Sequence, residues 1–467
     1  MSKSTVIYTK IGEHRGKQRL WLEGNRLART GITPGQRFNL VAGRKSLTLQ
    51  FAEDGAYKVS RRMRGEVELP VIDITAAELA QALGKVERVR VVVRGNRVDI
   101  TIHHHDLAES DRMGRLLQSL TKGEPLEIGS IAAGGGVLDH AIHTGLADVG
   151  MPSRLAFANE LEGAYLEASL ANNPVWDEDS IAIQGPMEEV EWHKLPFIHL
   201  LCAGLPCTGA SLSGRAKNRL DRAEAHETAG SLFIAFMNAI QTLRPAMVLL
   251  ENVPQYQSTA SMTVIRSVLA SIGYDVHETI LDGYAMGSLE RRDRLCMLAV
   301  SKGIEVDLEA LEPVRQREAS IAEVLEPFQV VQDRFKPYSY LADKEARDLA
   351  AGKGFRRQLL DGSEASLGTI GRGYSKARST EPFLRHPDDS SQSRLLTKAE
   401  HARKMKTVPE MLVQGLSGTV SHELLGQGVV HCAFRAVGRL IGNCLRSISK
   451  QDKSAWQQKW LKTHSAA

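Results

Sequence analysis

Gly204-Leu205-Pro206-Cys207-Thr208-Gly209-Ala210-Ser211 follows the apolar run Phe197 to Leu201. A short apolar run ending in a Gly/Pro turn reads as a buried strand, and the turn then sits where open α/β sheets keep their ligands. Pro206 fixes its own φ and restricts Leu205, while Gly204 and Gly209 let the backbone fold closely around the Cys207 thiol. Most cysteines outside disulfides are small buried apolar residues, and the turn by itself leaves that reading open beside the nucleophile's.

Neighbouring runs supply its partners. Met247 to Leu250 ends in Glu251-Asn252-Val253-Pro254, which puts a carboxylate at the end of a second strand. Glu290-Arg291-Arg292-Asp293-Arg294 leads into the apolar stretch Leu295 to Val300. Arg292 and Arg294 are two apart, so on a strand both guanidiniums are expected to face one pocket. Upstream, Ile128 to Val137 reads Ile-Gly-Ser-Ile-Ala-Ala-Gly-Gly-Gly-Val, a strand running into a glycine-rich turn and then a helix-compatible stretch. Such a turn admits a ligand close to backbone amides at a helix N-terminus. Ala156 to Glu160 ends a further strand-like run with an acid, the arrangement by which α/β folds hold ribose hydroxyls.

At 467 residues the chain exceeds what one core organises, so two or three domains are expected. Its net charge of +4 is unevenly spread: residues 1–110 hold 19 Lys or Arg against 12 Asp or Glu, net +7, leaving 40 against 43 in the remainder. That asymmetry points to a basic N-terminal module meeting nucleic acid. The module reads as β-rich, with strands at Arg19 to Leu22, Arg37 to Val41, Ser46 to Phe51, Arg88 to Val93 and Arg97 to Ile102, and a hairpin at Gly95-Asn96. His103-His104-His105-Asp106 on a strand end would alternate between faces, so no metal site is expected. The five cysteines, at 202, 207, 296, 432 and 444, lack Cys-x-x-Cys spacing, and a reduced cytoplasmic compartment follows. The start lacks an apolar signal core and no apolar run is long enough to span a bilayer, so no membrane partner is expected. The Lys-rich tail after Ile448, with Trp456 and Trp460, reads as a helix.

The motifs occur in the order of the DNA cytosine-5 methyltransferases, and the chain resembles that family from about Glu127 to Gly438. Gly204-Leu205-Pro206-Cys207 resembles its nucleophile motif and Glu251-Asn252-Val253 its Glu-Asn-Val motif. Glu290 to Arg294 is similar to Gln-x-Arg-x-Arg, with Glu290 in place of glutamine. Arg394 to Glu400 resembles the opening of the return segment, and Gly426-Gln427-Gly428-Val429 the late Gly-Asn-x-Val motif.

The resemblance implies Cys207, Glu251, Arg292 and Arg294 as catalytic residues. Cys207 would add to carbon 6 of cytosine, Glu251 in its protonated form would bond N3 and the exocyclic amine, and Arg294 would meet the O2 side. Ala133, Gly134, Gly136, Glu160 and Gln427 would hold S-adenosyl-L-methionine. Ser130 and Ala132 stand where the family has aspartate and phenylalanine, and Ile183 to Pro186 lacks the acid expected against adenine.

The implied fold is a doubly wound, mostly parallel α/β sheet of the Rossmann-like methyltransferase type, with a small inserted recognition domain and a β-rich N-terminal domain. Expected boundaries are 1–123 for the N-terminal module, 124–304 for the catalytic domain, 305–393 for target recognition and 394–467 for the return segment. Arg334 to Arg385 holds eleven Lys or Arg against six Asp or Glu, and Leu367 to Tyr374 reads there as a groove-reading loop. Ser211, Arg215, Lys217, Arg219 and Arg222 lie in a polar stretch, Thr208 to Thr228, that reads as a loop closing over the base. Arg19 to Gln36 resembles AbrB-like domains, which bind DNA or mediate dimers. Double-stranded DNA is the expected partner, with a cognate restriction endonuclease alongside. The same chemistry on RNA, or a catalytically weak DNA-binding regulator, are the alternatives.

Overall fold

The computed structural model describes residues 4–75, 77–84, 86–206 and 231–450. Two compact units form, one built on residues up to Arg115 and the other on Leu116–Arg446.

The first unit holds two antiparallel sheets. One orders β1 (Thr5–Lys10), β9 (Arg88–Arg94), β10 (Arg97–Ile102), β5 (Ser46–Phe51), β4 (Arg37–Gly43) and β6 (Tyr57–Lys58). The other orders β2 (Gly12–His14), β3 (Lys17–Glu23), β8 (Val67–Ile74) and β7 (Ser60–Arg64). Period-two alternation explains the core: Val89, Val91, Val93, Val98, Ile100, Leu47 and Leu49 point inward with Leu20, Leu22, Ile72 and Ile74. All five expected strands are present, and Gly95-Asn96 closes the β9–β10 hairpin at the Arg94↔Arg97 rung. At His104 the chain turns into the helix His104–Lys122. The three imidazoles therefore gather instead of alternating along a strand, with ring centroids 4.3, 4.2 and 5.0 Å apart.

The second unit is built on a seven-stranded sheet in the order β13 (Ile181–Gln184), β12 (Ser153–Glu160), β11 (Leu126–Ile131), β14 (Leu200–Gly204), β15 (Met247–Asn252), β17 (Asp293–Ser301), β16 (Tyr274–Asp282). The first five run parallel, and β17 is antiparallel to both its neighbours. The central strands are uninterrupted apolar runs because helices cover them. Helices Leu232–Leu243 and Ala260–Ser271 lay Phe236, Ile240, Met262 and Ile265 against Val248, Leu250 and Met297. Helix Val137–Asp148 meets the return helix His431–Lys450 backbone to backbone: a Cβ on Gly438 would lie 2.6 Å from the Ile142 carbonyl oxygen. Residues 394–446 thus belong to the same compact unit as this sheet. Between β17 and the return segment, β18 (Gln358–Leu360), β19 (Pro382–Arg385) and β20 (Ser393–Arg394) form a small sheet over Ile321, Leu360, Ile370, Tyr374, Leu384 and Leu396.

The strand expected from Phe197 begins at Leu200, where pairing with Ile128 of β11 starts. Strand order reverses between β11 and β14, so the turns leaving these two strands diverge from one crevice.

Asp139, in the first turn of helix Val137–Asp148, is 2% exposed, and Oδ1 has no hydrogen-bond partner. Burial raises its pKa from 3.8 to about 6, against a smaller opposing hydrogen bond from Ser130. The unfolded chain gives up this proton first, so the folded state binds more protons between those values and stability falls as pH rises through them. Asp139→Asn is expected to remove that fall and to add about 3 kcal/mol at neutral pH and above. Urea unfolding on either side of the window checks it; an unchanged pH difference contradicts the buried acid.

Candidate active site

After Ile131 the chain passes through left-handed conformations at Ala132, Gly134 and Gly136, with φ of 52°, 57° and 73°. The turn points amides toward the end of β12. Gly134 N–H donates to Glu160 Oε2 at 2.6 Å, and Glu162 N–H donates to Oε1 at 2.9 Å. Gly136 permits no side chain: a Cβ would sit 2.4 Å from Asn173 Nδ2 and 2.6 Å from Ser169 Oγ. Ala133, Gly134, Gly136 and Glu160 thus gather around one turn. The Glu160 carboxylate keeps acceptor sites beyond those two amides, which suits the ribose hydroxyls of an adenosyl group. Gln427 stands nearby through the main chain: Gly428 lies against Val137, and a Cβ on Gly135 would meet Leu424 at 2.7 Å. The Gln427 side chain itself is exposed and donates to the Glu423 carbonyl at 3.2 Å.

The β14 turn opens beside it. Asn252 Nδ2 donates to the Leu205 carbonyl at 3.1 Å, fixing the approach to Pro206. Cys207 and the stretch Thr208 to Thr228 lie outside the described residues. Gly204 pairs with Glu251, and a Cβ there would lie 3.6 Å from both Glu251 Oε2 and the Ala132 carbonyl oxygen. One glycine therefore separates the glycine turn from the carboxylate. Glu251 Oε1 meets Arg294 Nε at 2.8 Å, with each side chain 12% exposed. The pair is partly desolvated yet open enough to change partners.

The model of the C-5 cytosine-specific DNA methylase family matches residues 128–442 of the 467. The chain belongs to that family. It is a DNA cytosine-5 methyltransferase, with S-adenosylmethionine as methyl donor. It is 24% identical to the type II methyltransferase M.NlaX of Neisseria lactamica over 63% of this chain and 91% of that one. It is 26% identical to M.MspI of Moraxella over 57% of this chain and 61% of the relative, and 26% to an Escherichia coli DNA-cytosine methyltransferase over 56% and 64%. Among solved structures, the Dnmt2 methyltransferase of S. pombe superposes with a TM-score of 0.53 at 16% identity, covering 70% of this chain and 99% of that one. The Entamoeba histolytica methyltransferase EhMeth gives 0.54 at 13%, with the same coverage. These two show the same fold.

In this methylase Arg292 does not join Arg294. It precedes β17, which starts at Asp293, so strand alternation does not relate the two. Arg292 is 3% exposed, and its guanidinium donates to the carbonyls of Gly426 at 2.8 Å, Ile370 at 3.2 Å and Gln427 at 3.3 Å, and to Glu290 Oε1 at 3.3 Å. Glu290 also accepts from Ile370 N–H at 3.0 Å. Lys406, fully buried, donates to the Gly428 carbonyl at 2.9 Å and stands 3.8 Å from Glu290. Burial, and then the neighbouring Arg292, hold its pKa well below the ordinary lysine range. Lys406 carried no signal in sequence, and Asn252 stood in the Glu-Asn-Val motif without a role; each acquires its partners only across the fold.

The Leu367 to Tyr374 loop is partly absorbed by the same network. Leu367, Ile370 and Tyr374 are buried, whereas Thr369 and Arg372 are exposed. Four other cysteines are thiols, and burial raises the pKa of each; Cys296 is pushed to about 12 and Cys202 well above its ordinary value.

The two arginines separate by experiment. Arg292→Met leaves Glu290 and three carbonyls without their buried cation, an expected loss of about 3–5 kcal/mol of stability. Arg294→Met should leave the free energy of unfolding within about 1 kcal/mol of the parent and abolish methyl transfer. Equal destabilisation in denaturant would contradict the division.

Proposed function

We propose that the methylase acts on a cytosine flipped out of double-stranded DNA, through a covalent adduct at Cys207. The observation that carries the reading is the Glu251–Arg294 pair, set over Gly204 three residues before Cys207. Carbon 5 of cytosine is a weak nucleophile, so the Cys207 thiolate adds to carbon 6 and makes the ring enamine-like. Glu251, carrying a proton, bonds N3 and the exocyclic amine, and Arg294 faces O2; together they stabilise the charge that attack creates. Bound at Ala133, Gly134, Gly136, Glu160 and the Gln427 turn, S-adenosylmethionine supplies the electrophilic methyl carbon. Loss of the carbon 5 proton then expels the Cys207 sulfur and restores the aromatic ring. A stacked base pair hides both carbons, so the target nucleotide leaves the helix.

The elevated pKa values of Cys202, Cys296, Cys432 and Cys444 leave them poor thiolates, which supports Cys207 as the nucleophile. We assign residues 1–123 as the basic module, 124–304 and 394–467 as the catalytic domain, and 305–393 as the recognition segment, presenting Thr369 and Arg372 to the groove. Curated relatives named type II methyltransferases support a protective role beside a restriction endonuclease. No described helix is long and apolar enough to cross a membrane, in keeping with a DNA-associated protein of the cytoplasm.

A duplex carrying 5-fluorocytosine at the target cannot lose its carbon 5 substituent as a proton, so the adduct should persist through a denaturing gel. Cys207→Ala should give none, and Glu251→Gln should slow adduct formation about 100-fold or more. Methyl transfer without a trapped adduct refutes the covalent route, and transfer to RNA alone refutes the DNA substrate. Glu160→Ala is expected to weaken S-adenosylmethionine binding at least tenfold by calorimetry, with the fold intact by circular dichroism; unchanged binding would remove Glu160 from the cofactor site.

A further inference from the structure

Two hairpins of the first unit extend opposite ends of one four-stranded sheet, since Leu20 pairs with Ile74 and Glu23 with Val71. The first joins β2 to β3 through His14-Arg15-Gly16-Lys17, with positive φ at Arg15 and Gly16, the backbone a tight two-residue turn requires. The second joins β7 to β8 through Arg64-Gly65-Glu66-Val67. Core strands of this unit alternate between buried and exposed; these arms do not. All three residues of β2 and all five of β7 are exposed, and on β8 burial begins only at Leu69. Both faces of the second arm are uncovered from Ser60 to Glu68, whereas Gln18 and Arg19 are half-buried at the base of the first.

The charge of the module concentrates there. Residues 12–19 hold three Lys or Arg against one acid, and residues 58–68 hold four against two, so the arms carry +4 of the +7 in residues 1–110. Arg62 and Arg64 share a single carboxylate, Glu23, at 2.7 Å each, and Arg61 faces Glu68 at 3.7 Å with both side chains largely in solvent. Arg19, by contrast, is engaged by Asp73 in a two-pronged pair.

We infer that the β7–β8 arm forms a second DNA-contact surface, gripping phosphates of the duplex that carries the target cytosine. A two-stranded ribbon is narrow enough to enter a groove about 12 Å wide. Arginines that share acceptors while exposed keep donors for phosphate oxygens. The family match begins only at residue 128, so this surface is an addition to the catalytic unit. Contacts of this kind add affinity without sequence preference. The inference rests on DNA as substrate and not on the covalent route.

The test uses the full chain carrying Cys207→Ala, which keeps binding separate from adduct formation. Affinity is measured against salt for a duplex just spanning the target and for one several helical turns longer. Arg61→Gln, Arg62→Gln and Arg64→Gln together should lower the salt slope on the long duplex by about 2 to 3 and weaken binding roughly tenfold, with the short duplex unaffected. The matching three Arg→Lys changes should keep both slope and affinity. A glutamine variant that binds the long duplex like the parent overturns the proposal. So does a lysine variant that loses binding equally, or a glutamine variant whose only change is in sedimentation, which would assign the arm to pairing between copies.

Discussion

A buried guanidinium ties three distant parts of this chain together. Arg292 comes from the segment entering β17, Ile370 from the stretch between β18 and β19, and Gly426 and Gln427 from the chain after Arg394. Burying a cation is tolerable only when its donors find acceptors, and each of these carbonyls in turn needs the donor. The cost of separating any one part is therefore shared by the others. Glu290 and Lys406 extend the arrangement, placing a carboxylate and a second amine inside the same desolvated region. Where the family has glutamine, this chain carries Glu290, which meets Arg292 at 3.3 Å and Lys406 at 3.8 Å.

The site inherits its shape from that anchoring. The return segment, held at Gly426 to Gly428, presses Leu424 and Gly428 against the glycine turn, and the turn reaches Glu160 through the Gly134 amide. Gly204 then stands between Ala132 and Glu251, so the glycine turn and the Glu251–Arg294 pair meet across a residue without a side chain. Ala132 is left-handed although it is not glycine, at a cost of about 1–2 kcal/mol. That strain is held by the sheet on either side, and it lies where the two halves of the site join.

Much of this was legible before folding. Apolar runs ending in Gly/Pro turns located β11, β14 and β15, since a strand buried on both faces must be continuously apolar. Alternation found five strands of the N-terminal module, because one face of each meets a core. The exposed arms were not found: β2 and β7 carry no alternation, having no covered face to demand it. Arg292 misled for a related reason, since a spacing of two has meaning only within a strand and the strand starts one residue later.

From the residues alone came the family order of a glycine turn, a cysteine, a carboxylate and an arginine, because local turns and apolar runs encode where strand ends fall. Folding alone decided which arginine meets Glu251 and which is consumed as an anchor, that Lys406 is buried, and that Arg61, Arg62 and Arg64 stand on an exposed strand. Those outcomes depend on residues about 80 to 135 positions apart finding the same desolvated space, as Arg292 finds Ile370 and Gln427, and no local pattern records such a meeting.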